Sequence, residues 1–126
     1  MILLVLLGCK GKTNGYNEIE RGAVSVKLFE PKKVSDPYKV RVFIDKELQV
    51  NSTQNNKMLF APDSLFYLSY NGIKQYAEQV EFVASGVSGC FEYMVYFHQG
   101  HQSVSNFVFN DRYLTQQEYK IQLNKN

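Results

Sequence analysis

Two cysteines and two histidines are the residues of this 126-residue chain best suited to nucleophilic or metal chemistry, and their spacing limits what they can do. An imidazole activates a thiol only from within hydrogen-bond reach. Cys90 and His98 fall on one face of an alternating apolar stretch, but eight residues of extended chain hold them roughly 26 Å apart. His98 and His101 lie three apart, a spacing that on a helix would let them share a metal. Here Gln99-Gly100 between them reads as a hairpin turn, and no cysteine or carboxylate cluster stands beside them, whereas a closed zinc site needs four ligands. No Gly-rich phosphate loop, nucleophile elbow or metalloprotease helix motif occurs. Asp36, Asp45, Asp63 and Asp111 fall at strand ends and turns, where the residue type serves backbone geometry. The expectation is a non-enzymatic protein with no catalytic residues, no metal site and no cofactor.

The other thiol is placed differently. The run Met1-Ile2-Leu3-Leu4-Val5-Leu6-Leu7-Gly8-Cys9 is apolar up to a small residue and a cysteine, and Lys10 turns the chain polar at once. The stretch resembles a bacterial lipoprotein signal, with Leu6, Leu7 and Gly8 as the lipobox and Cys9 as the residue that takes the lipid. The thiol is the nucleophile that accepts a diacylglycerol group, and a small residue before it fits the protease. An ordinary secretory signal ends in a small-x-small site without cysteine. Ile2–Leu7 is shorter than the ~7–15 residues of a usual apolar core, and no basic residue precedes it, which is accounted for if Met1 is an internal start. The alternative is a buried first strand, which a run of Ile, Leu and Val also suits. A membrane-spanning helix is excluded, since that needs about 20 apolar residues. If Cys9 carries lipid through its sulfur, it cannot pair with Cys90. Cys90 is then a lone thiol packed as a small hydrophobe.

The elements behind this anchor read almost throughout with period 2. Residues 10–22 are polar and glycine-rich and read as a tether, leaving 1–8 as a removed signal segment, 9–22 as lipidated N-terminus and tether, and 23–126 as the folded domain. Val24, Val26 and Leu28 alternate with Ser25 and Lys27 up to Pro31, and Tyr38, Val40, Val42 and Ile44 with Lys39 and Arg41. Asn51–Asn56 reads as a polar loop. Leu65–Tyr70 is a strand, and Asn71-Gly72 is the strongest hairpin signal in the chain, since a type I′ turn needs positive φ at both central residues. The return arm lies within Lys74–Ala84, with a helical turn over 72–79 as the alternative. Phe91, Tyr93, Val95 and Phe97 form an apolar face of a central strand, and strands over Gln102–Phe109 and Tyr119–Leu123 complete about eight. That pattern predicts an all-β sandwich of transthyretin or immunoglobulin type.

Net charge is +2 with no basic block, so nucleic acid is not implied. Nine Tyr and nine Phe, with no Trp, exceed what a core of this size hides easily, and Tyr suits interaction surfaces. Asn51-Ser52-Thr53 matches a glycosylation acceptor but means nothing in a bacterium. The candidate partner-binding loops are Pro62-Asp63-Ser64 and Ser85-Gly86-Val87-Ser88-Gly89.

Leu6-Leu7-Gly8-Cys9, the strand Tyr38-Lys39-Val40-Arg41-Val42-Phe43, and Phe60-Ala61-Pro62-Asp63-Ser64 leading into a strand resemble the outer-membrane lipoproteins of type VI secretion systems (the TssJ or SciN family). In that family a small sandwich, anchored by its lipid, grips the periplasmic end of an inner-membrane protein and completes a trans-envelope channel. The resemblance implies an outer-membrane site on the periplasmic side, favoured also by Lys10 where a retained lipoprotein has Asp. It implies as partners the membrane, through the lipid, and an inner-membrane or periplasmic protein of a secretion complex. A small periplasmic ligand-binding or inhibitor lipoprotein is the alternative.

Overall fold

Alternating side chains on successive strands give two apolar faces, and these pack against each other in the computed structural model, which describes residues 12–13, 15–33, 35–98 and 106–123. The elements are β1 (Lys12–Thr13), β2 (Tyr16–Arg21), β3 (Val24–Phe29), β4 (Tyr38–Ile44), α1 (Ser52–Phe60), β5 (Phe66–Tyr70), β6 (Ile73–Tyr76), β7 (Gln79–Val83), β8 (Cys90–Tyr96), β9 (Asn106–Asn110) and β10 (Glu118–Gln122). They form an all-β sandwich of two antiparallel sheets, β1-β2-β3-β4-β8-β7 and β10-β9-β5-β6. The chain crosses between the sheets at β4–β5, β6–β7 and β8–β9.

The expected alternation holds where it was clearest. Val24, Val26, Leu28, Val40, Val42, Tyr93 and Val95 are fully buried from the six-stranded sheet, and Phe66, Phe107 and Phe109 meet them from the four-stranded one. The Phe66 ring lies 5.3 Å from Tyr93, 5.8 Å from Phe107 and 5.4 Å from Phe109, so aromatic rings fill the space between the sheets. Asn71 and Gly72 both have positive φ, 48° and 78°, as the hairpin between β5 and β6 requires. Phe91 to Val95 do occupy an interior strand, paired to β4 on one side and β7 on the other.

Three expectations need correction. Residues 9–22 do not form a tether throughout, because Tyr16–Arg21 is β2, paired with β3 over five residues. Ile19 packs on the core, and buried Asn17 donates through Nδ2 to Glu30 at 2.8 Å. Gly22, at φ 59°, sits first in the Arg21–Val24 turn, where positive φ favours glycine, and local turn geometry supplies a pairing that one apolar residue does not advertise.

Asn51–Asn56 is not a loop. Asn51 caps α1, its Oδ1 accepting from Gln54 N at 2.8 Å while Gln54 Oε1 accepts from Asn51 N at 2.9 Å, a reciprocal capping box. The helix ends for an equally local reason. Residue 62 is proline and has no N–H for the Met58 carbonyl, so the buried Tyr93 hydroxyl donates to it instead at 2.7 Å.

The return arm within Lys74–Ala84 is neither one strand nor a helical turn. Ala77 N donates to Phe66 O in one sheet, and Glu78 N donates to Tyr96 O in the other, so the chain changes sheets between adjacent residues.

One buried carboxylate organises the β9–β10 connection. Asp111 is 1% exposed, and Oδ1 accepts from the N–H groups of Tyr113 and Leu114 while Oδ2 accepts from the N–H and hydroxyl of Thr115. It satisfies backbone donors that the loop leaves over, which is a structural use of the carboxylate.

Candidate functional site: a groove at one end of the sandwich

At the end of the six-stranded sheet where β4 stops and β8 starts, the four-stranded sheet no longer covers the inner face, and α1 stands over it instead. A groove of about 710 Å³ lies between them and opens to solvent. Its apolar wall is Ile44, Leu48, Val50, Leu59, Phe82 and Phe91, and its polar rim includes Asp45, Lys46, Asn51, Ser52 and Asn55. The helix is held in place by the Tyr93–Met58 bond and by Gln54 Nε2 donating to Tyr113 O at 2.8 Å. Both walls therefore belong to the framework.

Gly89 closes the groove's corner. Its carbonyl accepts from Ile44 N at 2.8 Å, its φ is 73°, and an added Cβ would stand 3.2 Å from Ile44 O. Only glycine meets both conditions without strain. The neighbouring loop carries Val87, 49% exposed, and Ser85 Oγ accepts from Val87 N at 3.2 Å. Phe82 on β7 is 37% exposed at the groove's mouth, its ring edge-on to Tyr93 at 5.9 Å.

The structure treats the two expected binding loops differently. Ser85–Gly89 borders the groove through Gly89. Pro62-Asp63-Ser64 does not line it: Pro62 is buried with its carbonyl accepting from Leu65 N, and Ser64 Oγ accepts from Arg112 Nη1 at 3.3 Å in the β9–β10 loop. Leu6, Leu7, Gly8 and Cys9 lie outside the described residues, as does His101 with most of the expected 98–101 turn. Sequence reasoning missed α1 and the strand ends around Ile44, whose convergence depends on topology. The capping box was the one readable signal for the helix.

Cys90 lies in the groove wall as a free thiol. Burial pushes its thiol up, against smaller lowering influences of a hydrogen bond with Ser85 and the charge of Arg41. The reactive thiolate is thus disfavoured at neutral pH. His98 is exposed just past the opposite end of β8. On the outer face, Glu92 is 5% exposed and pairs with Lys39 Nζ and Arg41 Nε, each at 3.3 Å. Its charge is matched across strands, Arg41 being its register partner. Among the described residues no three metal-ligating side chains converge. The arrangement offers shape and apolar surface for recognition.

Comparison of the chain with family models, with curated proteins and with solved structures gives no match.

Proposed function

We propose that this chain is a lipid-anchored, non-catalytic docking module of the bacterial outer membrane, whose periplasmic β-sandwich binds a partner protein in an envelope-spanning assembly, a type VI secretion membrane complex being the named case. The observation that carries the docking reading is that, among the described residues, the space between the sheets is filled while an apolar groove lies at one end. Phe66, Tyr93, Phe107 and Phe109 occupy the space between the sheets, where a ligand-binding sandwich would keep a pocket.

The position of that end fits an anchor on Cys9. Cys9 precedes Lys12 by three residues, which span at most about 11 Å fully extended. Lys12 is level with Asn17, Leu28, Val40 and Tyr93 across the sheet, whereas the groove begins at the row of Arg21, Val24 and Ile44. Those rows are four residues apart along the strands, in the direction from which β1 enters, so the separation lies across the sheet: four strand spacings from β1 to β8, about 19 Å. Lipid on Cys9 would hold the β1–β2 edge near the headgroups and leave the groove at the far strands of the six-stranded sheet. Several acyl chains, at about 0.8 kcal/mol per buried CH₂, make such an anchor essentially permanent.

The test of docking is positional. A photo-crosslinking side chain placed in the anchored protein at Val87 or Lys46, beside the groove, gives a discrete adduct in cells. The same group at Lys120, on the outer face of β10, gives none. Adducts of equal yield from all three positions, or from Lys120 alone, contradict the reading.

A further inference from the structure

We infer that the partner segment is an extended strand rich in basic and apolar residues, which adds to the six-stranded sheet along β7 and sends an apolar side chain into the groove beside Phe82. The inference deepens the docking reading and rests on it.

An edge strand offers a row of unpaired N–H and C=O groups, and folds usually blunt such edges. Of the four sheet edges, β1 is two residues long, and β10 faces β2, whose Arg21 Nη1 donates to Glu118 O at 2.7 Å. β6 has four residues, and its Lys74 lies over the Tyr67 ring. β7 is five residues long, exposed at Gln79, Glu81 and Phe82, and paired only with β8 among the described residues. Its outer-face side chains are already tied down: Glu81 accepts from Tyr96 Oη at 3.1 Å and from Gln79 Nε2 at 3.2 Å. Phe82, on the opposite side, lines the groove. An added strand would therefore find backbone partners along β7 and an apolar cavity next to it, the combination that gives strand addition its affinity and its specificity.

Charge selects the occupant. Glu78 and Glu81 are exposed on this edge, and no Lys or Arg occurs between Lys74 and Arg112. A second copy pairing β7 antiparallel with itself about Glu81 would set Glu81 against Glu81, and like charges directly opposite are unfavourable. A strand with Lys or Arg at alternate positions lines its basic face up with Glu81 on the outer face, while Glu78, three residues back, adds negative potential at the end of the same edge.

The test uses the full chain and two synthetic ten-residue peptides, one alternating Lys or Arg with Val or Phe, the other with Glu in place of each basic residue. The basic peptide is expected to bind about threefold more tightly than the acidic one in low salt, as one exposed charge pair at Glu81 allows. It is expected to protect β7 amides from hydrogen exchange and to lose binding when alternate backbone nitrogens are methylated. Glu78→Lys/Glu81→Lys, with melting unchanged, is expected to reverse the preference. Equal affinity of the two peptides, no binding of either, protection elsewhere than β7, or an unreversed preference in the folded variant overturns the inference. So does concentration-dependent dimerisation that protects β7. If the peptides fail while Val87 and Lys46 still cross-link in cells, the docking reading stands and strand addition alone is wrong. If the peptides bind β7 but no cross-link forms in cells, the docking reading fails, and the assignment of a partner strand falls with it.

Discussion

Replacing Tyr93 by Phe removes one oxygen atom and should disturb the groove more than its size suggests. The Tyr93 hydroxyl is the partner of the Met58 carbonyl, 2.7 Å away in a buried position. Residue 62 is proline, so the helix cannot supply the usual N–H donor four residues on, and the loss leaves a buried carbonyl unpaired. Such a group costs about 1–3 kcal/mol. We expect Tyr93→Phe to lower stability by about 2 kcal/mol, which for a domain of this size is roughly 6–10 °C in Tm. The control is Tyr113→Phe, whose hydroxyl donates at 2.8 Å to the Ala61 carbonyl of the same helix end, but at an exposed position where water takes over. That change should cost under about 0.5 kcal/mol. Urea unfolding of the three proteins, with equal m-values, measures the difference directly. If the two variants lose the same stability, the Tyr93 hydroxyl is not the cap of a buried helix end, and α1 is not fixed over the groove in the way described.

Two further outcomes follow from buried polar groups. Asp111→Ala strips the acceptors from three backbone N–H groups and the Thr115 hydroxyl, and should cost about 3 kcal/mol in urea unfolding; a loss below about 1 kcal/mol would mean the loop is held by something else. At alkaline pH, Tyr38 and Tyr67 are each pushed up to about 12, first by burial and then by Glu30 and Glu118 respectively, and burial raises Tyr93 too. Their folded-state values exceed the unfolded value near 10, so stability is fully present below about pH 10 and falls as pH rises from there through about 12. Fully buried Tyr93 alone contributes about 1.4 kcal/mol per pH unit over that range. Urea unfolding between pH 8 and 11, with tyrosinate absorbance, checks this; tyrosines that all titrate near 10 in the folded protein would contradict it.

The fold was legible where one face of a strand is buried and the other wet. Tyr38–Ile44 and Tyr119–Leu123 show their faces in the chemistry of alternate residues, and Asn71-Gly72 states its turn through the φ values it tolerates. β2 was hidden because it carries only Ile19 on the core and depends on pairing with β3. α1 was hidden because its apolar residues sit in the last turn, so no periodic stripe exists, and its start is marked only by the Asn51–Gln54 capping pair. The groove was the least readable part. It is assembled from the end of β4, one face of α1, Phe82 and residues 89–91, and no spacing in the chain encodes their meeting. Ser85–Gly89 reads as a loop because a Gly-rich stretch between two paired strands must lie at their ends, and its Gly89 borders the groove there. Pro62-Asp63-Ser64 is also built of turn-forming residues, but Pro62 is committed to ending the helix.

The central claim is that Cys9 carries the lipid that holds a docking domain at the membrane, and Cys9→Ser tests it most directly. Fractionated from cells, the variant should leave the membrane pellet for the soluble periplasmic fraction, with the melting temperature of its sandwich unchanged and its N-terminal lipid mass lost. A variant that stays in the membrane fraction as the parent does would contradict the claim.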